Sequence, residues 1–268
     1  MAEQAHIASG LTDDPGQGQP AGQGQPAGQG QPAGQGQPAG QRPEVTDMLA
    51  LALDVDDMDK AMDLAVELKP YFGVAKVGLE LYSAAGPDIV RGLTTLGYEV
   101  FVDIKLFDIP NTVGRAARVL GRLGVRWVTA HACGGEVMLR AAVEGLAEGA
   151  RSGGAPSEAM ILGVTVLTSE SVPSGDLMSQ RLTVARQAGC GGVVCSVADL
   201  ATATRVAPDL VRVVPGIRLE GAPAHDQVRV GTPRQAIDGG AGLLVIGRAV
   251  TAAPDPRRAA ALLVESLA

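Results

Sequence analysis

Eight times between Met48 and Leu267, a short apolar run is followed by a segment whose apolar residues recur at helical spacing. The couplets are 48–53 with 57–68, 72–77 with 83–96, 98–105 with 112–123, 127–131 with 136–149, 160–167 with 177–188, 192–195 with 198–206, 211–214 with 233–238 and 243–246 with 256–267. Fully apolar strands alternating with amphipathic helices predict a parallel sheet covered by helices. Eight such units in about this length favour a closed (β/α)8 TIM barrel over an open doubly wound sheet. No Gly-x-Gly-x-x-Gly follows the first strand, which argues against dinucleotide binding.

The amino-terminal stretch cannot belong to such a barrel. From Pro15 to about Gln41 it repeats Gly-Gln-Gly-Gln-Pro-Ala, with no charge and nothing apolar larger than alanine or proline. A segment of that kind buries too little apolar surface to offset its ordering entropy. The expected organisation is a disordered low-complexity tail over residues 1–44 and a barrel over 45–268. The barrel core must be drawn from Ala, Val, Leu and Ile, because aromatic residues make up only 3% of the chain.

Charge narrows the partners. There are 22 Lys and Arg against 29 Asp and Glu, a net charge of −7. That balance argues against a nucleic-acid or anionic-membrane surface, so cations for an anionic ligand must be gathered locally. The three cysteines, Cys133, Cys190 and Cys195, have no Cys-x-x-Cys spacing, and His131 beside Cys133 has no further ligand at metal-site spacing. Neither a disulfide framework nor a metal site is expected. Nor is any apolar run long enough to span a bilayer, and a cytoplasmic location is the expectation.

In a barrel of this type the chemistry gathers at the carboxyl ends of the strands. Those ends carry Asp54, Lys76, Asp103 with Lys105, His131, Thr168-Ser169, Gly216 with Arg218, and Gly247 with Arg248. The densest is the stretch Asp103-Ile104-Lys105-Leu106-Phe107-Asp108-Ile109-Pro110-Asn111-Thr112. Strand alternation puts Asp103 and Lys105 on one side, and Asp108 can bring a second carboxylate to the same ammonium from its own chain or from a neighbouring copy. Opposite charges about 4 Å apart interact by on the order of 4 kcal/mol at an effective dielectric near 20, enough to fix the lysine and favour its ammonium form. Such a lysine serves as an acid or as a fixed cation rather than as a nucleophile. The two arginines after strands seven and eight, each within two residues of a glycine, match the place where barrels hold phosphate. Leu219 to Asp226, rich in Gly and Pro, has the composition of a lid over that phosphate.

Read in order, Leu53-Asp54, Lys76-Val77-Gly78, Asp103-x-Lys105-x-x-Asp108-Ile109-Pro110-Asn111-Thr112, Leu167-Thr168-Ser169, Pro215-Gly216-Ile217-Arg218, Asp226-Gln227 and Ile246-Gly247-Arg248 resemble the orotidine 5′-phosphate decarboxylases. The resemblance implies cofactor-free and metal-free decarboxylation of orotidine 5′-phosphate to uridine 5′-phosphate, in a homodimer. Asp54 and Lys76 would hold the ribose hydroxyls, with Lys76 joined to Asp103 and Lys105 in a chain of charges. Lys105 would stabilise a carbanion at the pyrimidine C6 and protonate it, and Asp108 would come from the partner subunit. Thr112 would contact the ribose, Thr168 and Ser169 the pyrimidine edge, and Arg218, Gln227, Gly247 and Arg248 the phosphate. The alternatives are a magnesium-dependent phosphosugar aldolase or β-keto acid decarboxylase on the same scaffold, and a barrel that binds nucleotide without catalysis.

Overall fold

Eight parallel strands close on themselves in chain order: β1 (Leu49–Leu53), β2 (Val74–Gly78), β3 (Glu99–Leu106), β4 (Trp127–His131), β5 (Met160–Val164), β6 (Gly192–Val194), β7 (Val211–Val214) and β8 (Leu243–Ile246). β8 pairs with β1, Leu49 opposite Leu244, so no strand edge is left open. The structure is a computed structural model and describes residues 44–153, 158–167, 175–218 and 231–267. The expected tail up to residue 43, the loop 219–226, and Thr168, Ser169 and Gln227 lie outside the described residues. No helix among the described residues is long and apolar enough to cross a membrane.

The helices are α1 (Met58–Leu68), α2 (Leu79–Ala85), α3 (Pro87–Thr95), α4 (Pro110–Arg122), α5 (Gly135–Gly153), α6 (Gly175–Gln187), α7 (Leu200–Val206), α8 (Pro233–Asp238), α9 (Arg248–Thr251) and α10 (Pro256–Leu267). The apolar period places β4, β7, β8, α8 and α10 to the residue. Elsewhere local backbone chemistry overrides it. The helix expected over 83–96 is two helices. Gly86 between them sits at φ 60 and ψ −149 degrees. That conformation is closed to most side chains, and Pro87 then opens a new helix at its first position. The run 160–167 is strand only to Val164, and the short helix α9 has too few residues to show a period.

Strand alternation divides the apolar side chains into two cores. Leu51, Val77, Val102, Val128, Leu244 and their neighbours face outward beneath the helices. Ala50, Val74, Phe101, Trp127, Leu162, Val213 and Leu243 fill the barrel. Its centre is not purely aliphatic as composition suggested. Phe101 and Trp127 meet edge to face, with ring centroids 6.4 Å apart. Such bulk is accommodated beside the small Ala50 of the same cluster, and the edge-to-face arrangement is the one aromatic quadrupoles favour.

One pair of helices packs at backbone distance. A Cβ placed on Gly145 or Gly149 of α5 would overlap the carbonyl oxygen of Gly114 or Arg118 on α4, and one on Gly121 would overlap Leu146 of α5. Only glycine permits this approach, and α4 is the helix that begins at the stretch around Asp108. Gly149→Ala is expected to force the helices apart at a net cost of about 2 kcal/mol, lowering the melting temperature by roughly 4–8 °C in a thermal scan. The same change at Gly175, where a Cβ meets nothing, should leave it unchanged.

Candidate active site

The alternation that fills the barrel also delivers the charged side chains to a cavity at its carboxyl end. On β1 the inner-core Ala50 is followed by Ala52 and Asp54, on β2 Val74 by Lys76, on β3 Phe101 by Asp103, and on β8 Leu243 by Val245 and Gly247; each later member lines the cavity. Lys76 Nζ lies 2.7 Å from Asp54 Oδ1, the lysine side chain 9% exposed and the carboxylate 56%. A nearly desolvated ammonium thus presents a half-open carboxylate to the cavity. Gly78 is what leaves room, since a Cβ there would come within 3.2 Å of Asp54 Oδ1 and 3.3 Å of Lys76 Nζ.

The second pair, Lys105 Nζ to Asp103 Oδ1 at 3.0 Å, also lines the cavity, but simple alternation is not what joins it. In the β3–β4 ladder Val102 pairs with Val128, and the next partners are Leu106 and Ala130. β3 therefore carries surplus residues in between, as at a bulge. Lys105 takes them up at φ 51°, the sole non-glycine with positive φ among the described residues. Its amide donates to Thr129 Oγ1 at 2.9 Å, and that hydroxyl donates to Asp103 Oδ1, also at 2.9 Å. The expected chain of charges is present as two pairs: among the described residues no ion pair joins Lys76 to Asp103.

The opposite rim carries the arginines. Pro215, Gly216 and Arg218 after β7, and Gly247 and Arg248 after β8, line the same cavity. Gly216 turns the chain at φ 79°. Gly231 then accepts from the Arg218 amide at 3.0 Å and donates to the Gly216 carbonyl at 3.2 Å, which holds together the two ends of residues 219–230. The Arg218 side chain is buried, and Arg248 is the first residue of α9 behind Gly247. Four cations and two carboxylates therefore line this cavity in a chain whose net charge is −7. The local excess of positive charge is set up for an anion.

Reading strand ends for polar residues missed the apolar wall: Val164, Val166 and Leu167 on the β5 side, with Val194, Val213 and Val245. For the five valines the signal was available in the period of two, since each lies on the inward parity of its strand or of the strand's direct continuation. Leu167 falls on the opposite parity and carried no such signal. Thr129 was missed as well, hidden by the apolar run around it.

Two predicted residues do not reach the cavity in their own chain. Asp108 is exposed, its Oδ1 accepting from the Ile109 amide at 2.6 Å, and Thr112 is exposed in the first turn of α4. Neither lines the cavity, and among the described residues Lys105 is ion-paired with Asp103 alone. In this structure the Asp108 carboxylate is not paired with the Lys105 ammonium of its own chain. His131 stacks edge to face with Phe107, centroids 5.8 Å apart, outside the cavity. Cys195 is buried, as is Cys190, whose thiol burial pushes up to about 12, whereas Cys133 is exposed.

Comparison with known proteins finds relatives over most of the chain. The family model described as Orotidine 5′-phosphate decarboxylase / HUMPS family matches residues 47–263. The orotidine 5′-phosphate decarboxylase of Moorella thermoacetica is 42% identical over 231 residues, covering 82% of this chain and 91% of that protein. That of Heliobacterium modesticaldum is 40% identical over 240 residues, covering 84% and 97%. Among solved structures, the orotidine 5′-phosphate decarboxylase of Lactobacillus acidophilus superposes with a TM-score of 0.70 at 33% identity, over 82% of this chain and 98% of that one.

Proposed function

The chain belongs to the orotidine 5′-phosphate decarboxylase / HUMPS family, and from that premise we propose that it converts orotidine 5′-phosphate to uridine 5′-phosphate and carbon dioxide, in the cytoplasm, as the last step of de novo pyrimidine nucleotide synthesis. The observation that carries this reading is one cavity lined by an Asp–Lys pair, a set of apolar side chains and two arginines. Those parts suit a carboxylated ring, its ribose and its phosphate.

In the step itself the bond from C6 to the carboxylate breaks, its electron pair stays on C6, and carbon dioxide leaves. The Lys105 ammonium, held beside Asp103 before the reaction starts, stabilises that localised charge without reorganising and then gives C6 its proton. Asp103 aligns the ammonium and opposes the substrate carboxylate. Asp54 and Lys76 bind the ribose hydroxyls, and Thr168 and Ser169 the pyrimidine edge. Arg218, Gln227, Gly247 and Arg248 bind the phosphate, and this remote binding lowers the barrier by fixing the ring over Lys105. No group other than the chain's own backbone and side chains is required, so neither cofactor nor metal enters the proposal.

Asp108 and Thr112 serve the cavity of a second copy. Support comes from Phe107 and Ile109, which flank Asp108 and are 62% and 65% exposed. Large apolar side chains left in the open together are the kind of surface that marks an interface.

The test follows loss of orotate-ring absorbance with purified protein, with and without chelator. Turnover unaffected by chelator, with none on ketose phosphates, is expected; activity on ketose phosphates that a chelator abolishes would replace this reading with the magnesium-dependent one. Tight binding of uridine 5′-phosphate without release of carbon dioxide would favour a non-catalytic barrel. In the same assay Arg248→Ala should raise KM and lower kcat/KM by about 100-fold or more. On orotidine, which lacks the phosphate, the variant and wild type should be equal.

A further inference from the structure

We propose that Thr129 is a positioning residue for the reacting lysine, acting through both the backbone of Lys105 and the carboxylate of Asp103. The inference rests on the decarboxylase reading and adds to it a residue that neither touches the cavity nor is charged. Thr129 occupies the inward parity of β4, two residues beyond the inner-core Trp127, and is fully buried. Its hydroxyl has two partners whose chemistry leaves no choice of direction. The Lys105 amide can only donate and the Asp103 carboxylate only accepts. Oγ1 therefore takes the hydrogen of the first and gives its own to the second, each at 2.9 Å.

These bonds fall where the ladder fails. Between the Val102–Val128 and Leu106–Ala130 pairs β3 has no regular partner on β4, and the Lys105 backbone has positive φ. That conformation disfavours any side chain with a Cβ. Thr129 supplies the missing acceptor for the amide, so the kink at Lys105 is held by a side chain of the neighbouring strand. The same hydroxyl holds Asp103 Oδ1, the atom that also accepts from Lys105 Nζ at 3.0 Å. One buried oxygen therefore fixes where the lysine leaves the backbone and where its ammonium is anchored. Without it both ends can drift, and an ammonium displaced by an ångström no longer faces the developing carbanion.

Thr129→Val keeps the shape of the side chain and removes both bonds, whereas Thr129→Ser keeps the hydroxyl. The valine variant is expected to lose about 10- to 100-fold in kcat, with KM and affinity for uridine 5′-phosphate within a few-fold of wild type, because the arginines and the Asp54–Lys76 pair are untouched. The serine variant should recover kcat to within a few-fold. Amide exchange at Lys105, slow in wild type and serine variant, should become fast in the valine variant. A valine variant with wild-type kcat, or one in which kcat, nucleotide affinity and melting temperature fall together while serine fails to rescue, would overturn the proposal. If wild type itself releases no carbon dioxide, the decarboxylase reading is what has failed. The Lys105 exchange rates then decide alone: equal protection in wild type and valine variant would refute the role of Thr129.

Discussion

Lys105→Ala is expected to lower kcat by a factor of about 10,000 or more, an increase of roughly 5–6 kcal/mol in the barrier, because one group both stabilises the carbanion and supplies its proton. Uridine 5′-phosphate should still bind, since the rim arginines and the Asp54–Lys76 pair do not depend on residue 105. The far-ultraviolet circular dichroism should be unchanged. A companion variant separates chemistry from backbone. Lys105 sits at φ 51°. A side chain there costs about 1 kcal/mol that glycine avoids, so Lys105→Gly should be as inactive as Lys105→Ala yet melt higher. That pattern would mark the kink as strain kept for catalysis. Appreciable turnover in either variant would remove Lys105 from the chemistry.

How this site could be read in advance, and where reading stopped, follows from the same strand. The barrel was legible because eight apolar runs and eight helical patterns leave little else to build, and the cavity residues because strand ends are where a barrel exposes polar groups. Asp103 and Lys105 were found for the right position and a partly wrong reason. A period of two puts them on one side of a regular strand, yet β3 is irregular there, and they meet through a positive φ. No residue type announces that irregularity, since lysine is not a residue one would place at such an angle. Thr129 was hidden for a related reason, being a small β-branched residue in an apolar run, with a function defined only by a bulge on its neighbour. The split at Gly86-Pro87, by contrast, was written in the sequence as a turn signal and lost to the longer helical period.

The surface around Asp108 carries the last prediction. In its own chain this carboxylate is exposed and turned to the Ile109 amide, outside the cavity, between two exposed apolar side chains. A residue so placed contributes to a decarboxylase site only if a second copy packs its β3–α4 corner over the mouth of the first. A two-fold dimer does this reciprocally, each chain completing the other's cavity. Asp108→Ala alone should then lose activity by at least about 100-fold, because the ammonium loses one of its two carboxylate neighbours and the substrate carboxylate loses an opposing charge. Mixing inactive Asp108→Ala with inactive Lys105→Ala gives the decisive result. After subunits exchange at equal amounts, half the dimers are mixed, and each mixed dimer has one cavity with both residues intact, so about one quarter of wild-type activity should return. Sites built from single chains would recover nothing at any mixing ratio. A further change of Ile109→Asp in both partners, which places charge on the apolar contact, should abolish the recovery and shift the protein to monomer in sedimentation. Recovery that survived this change would place the shared surface elsewhere on the barrel.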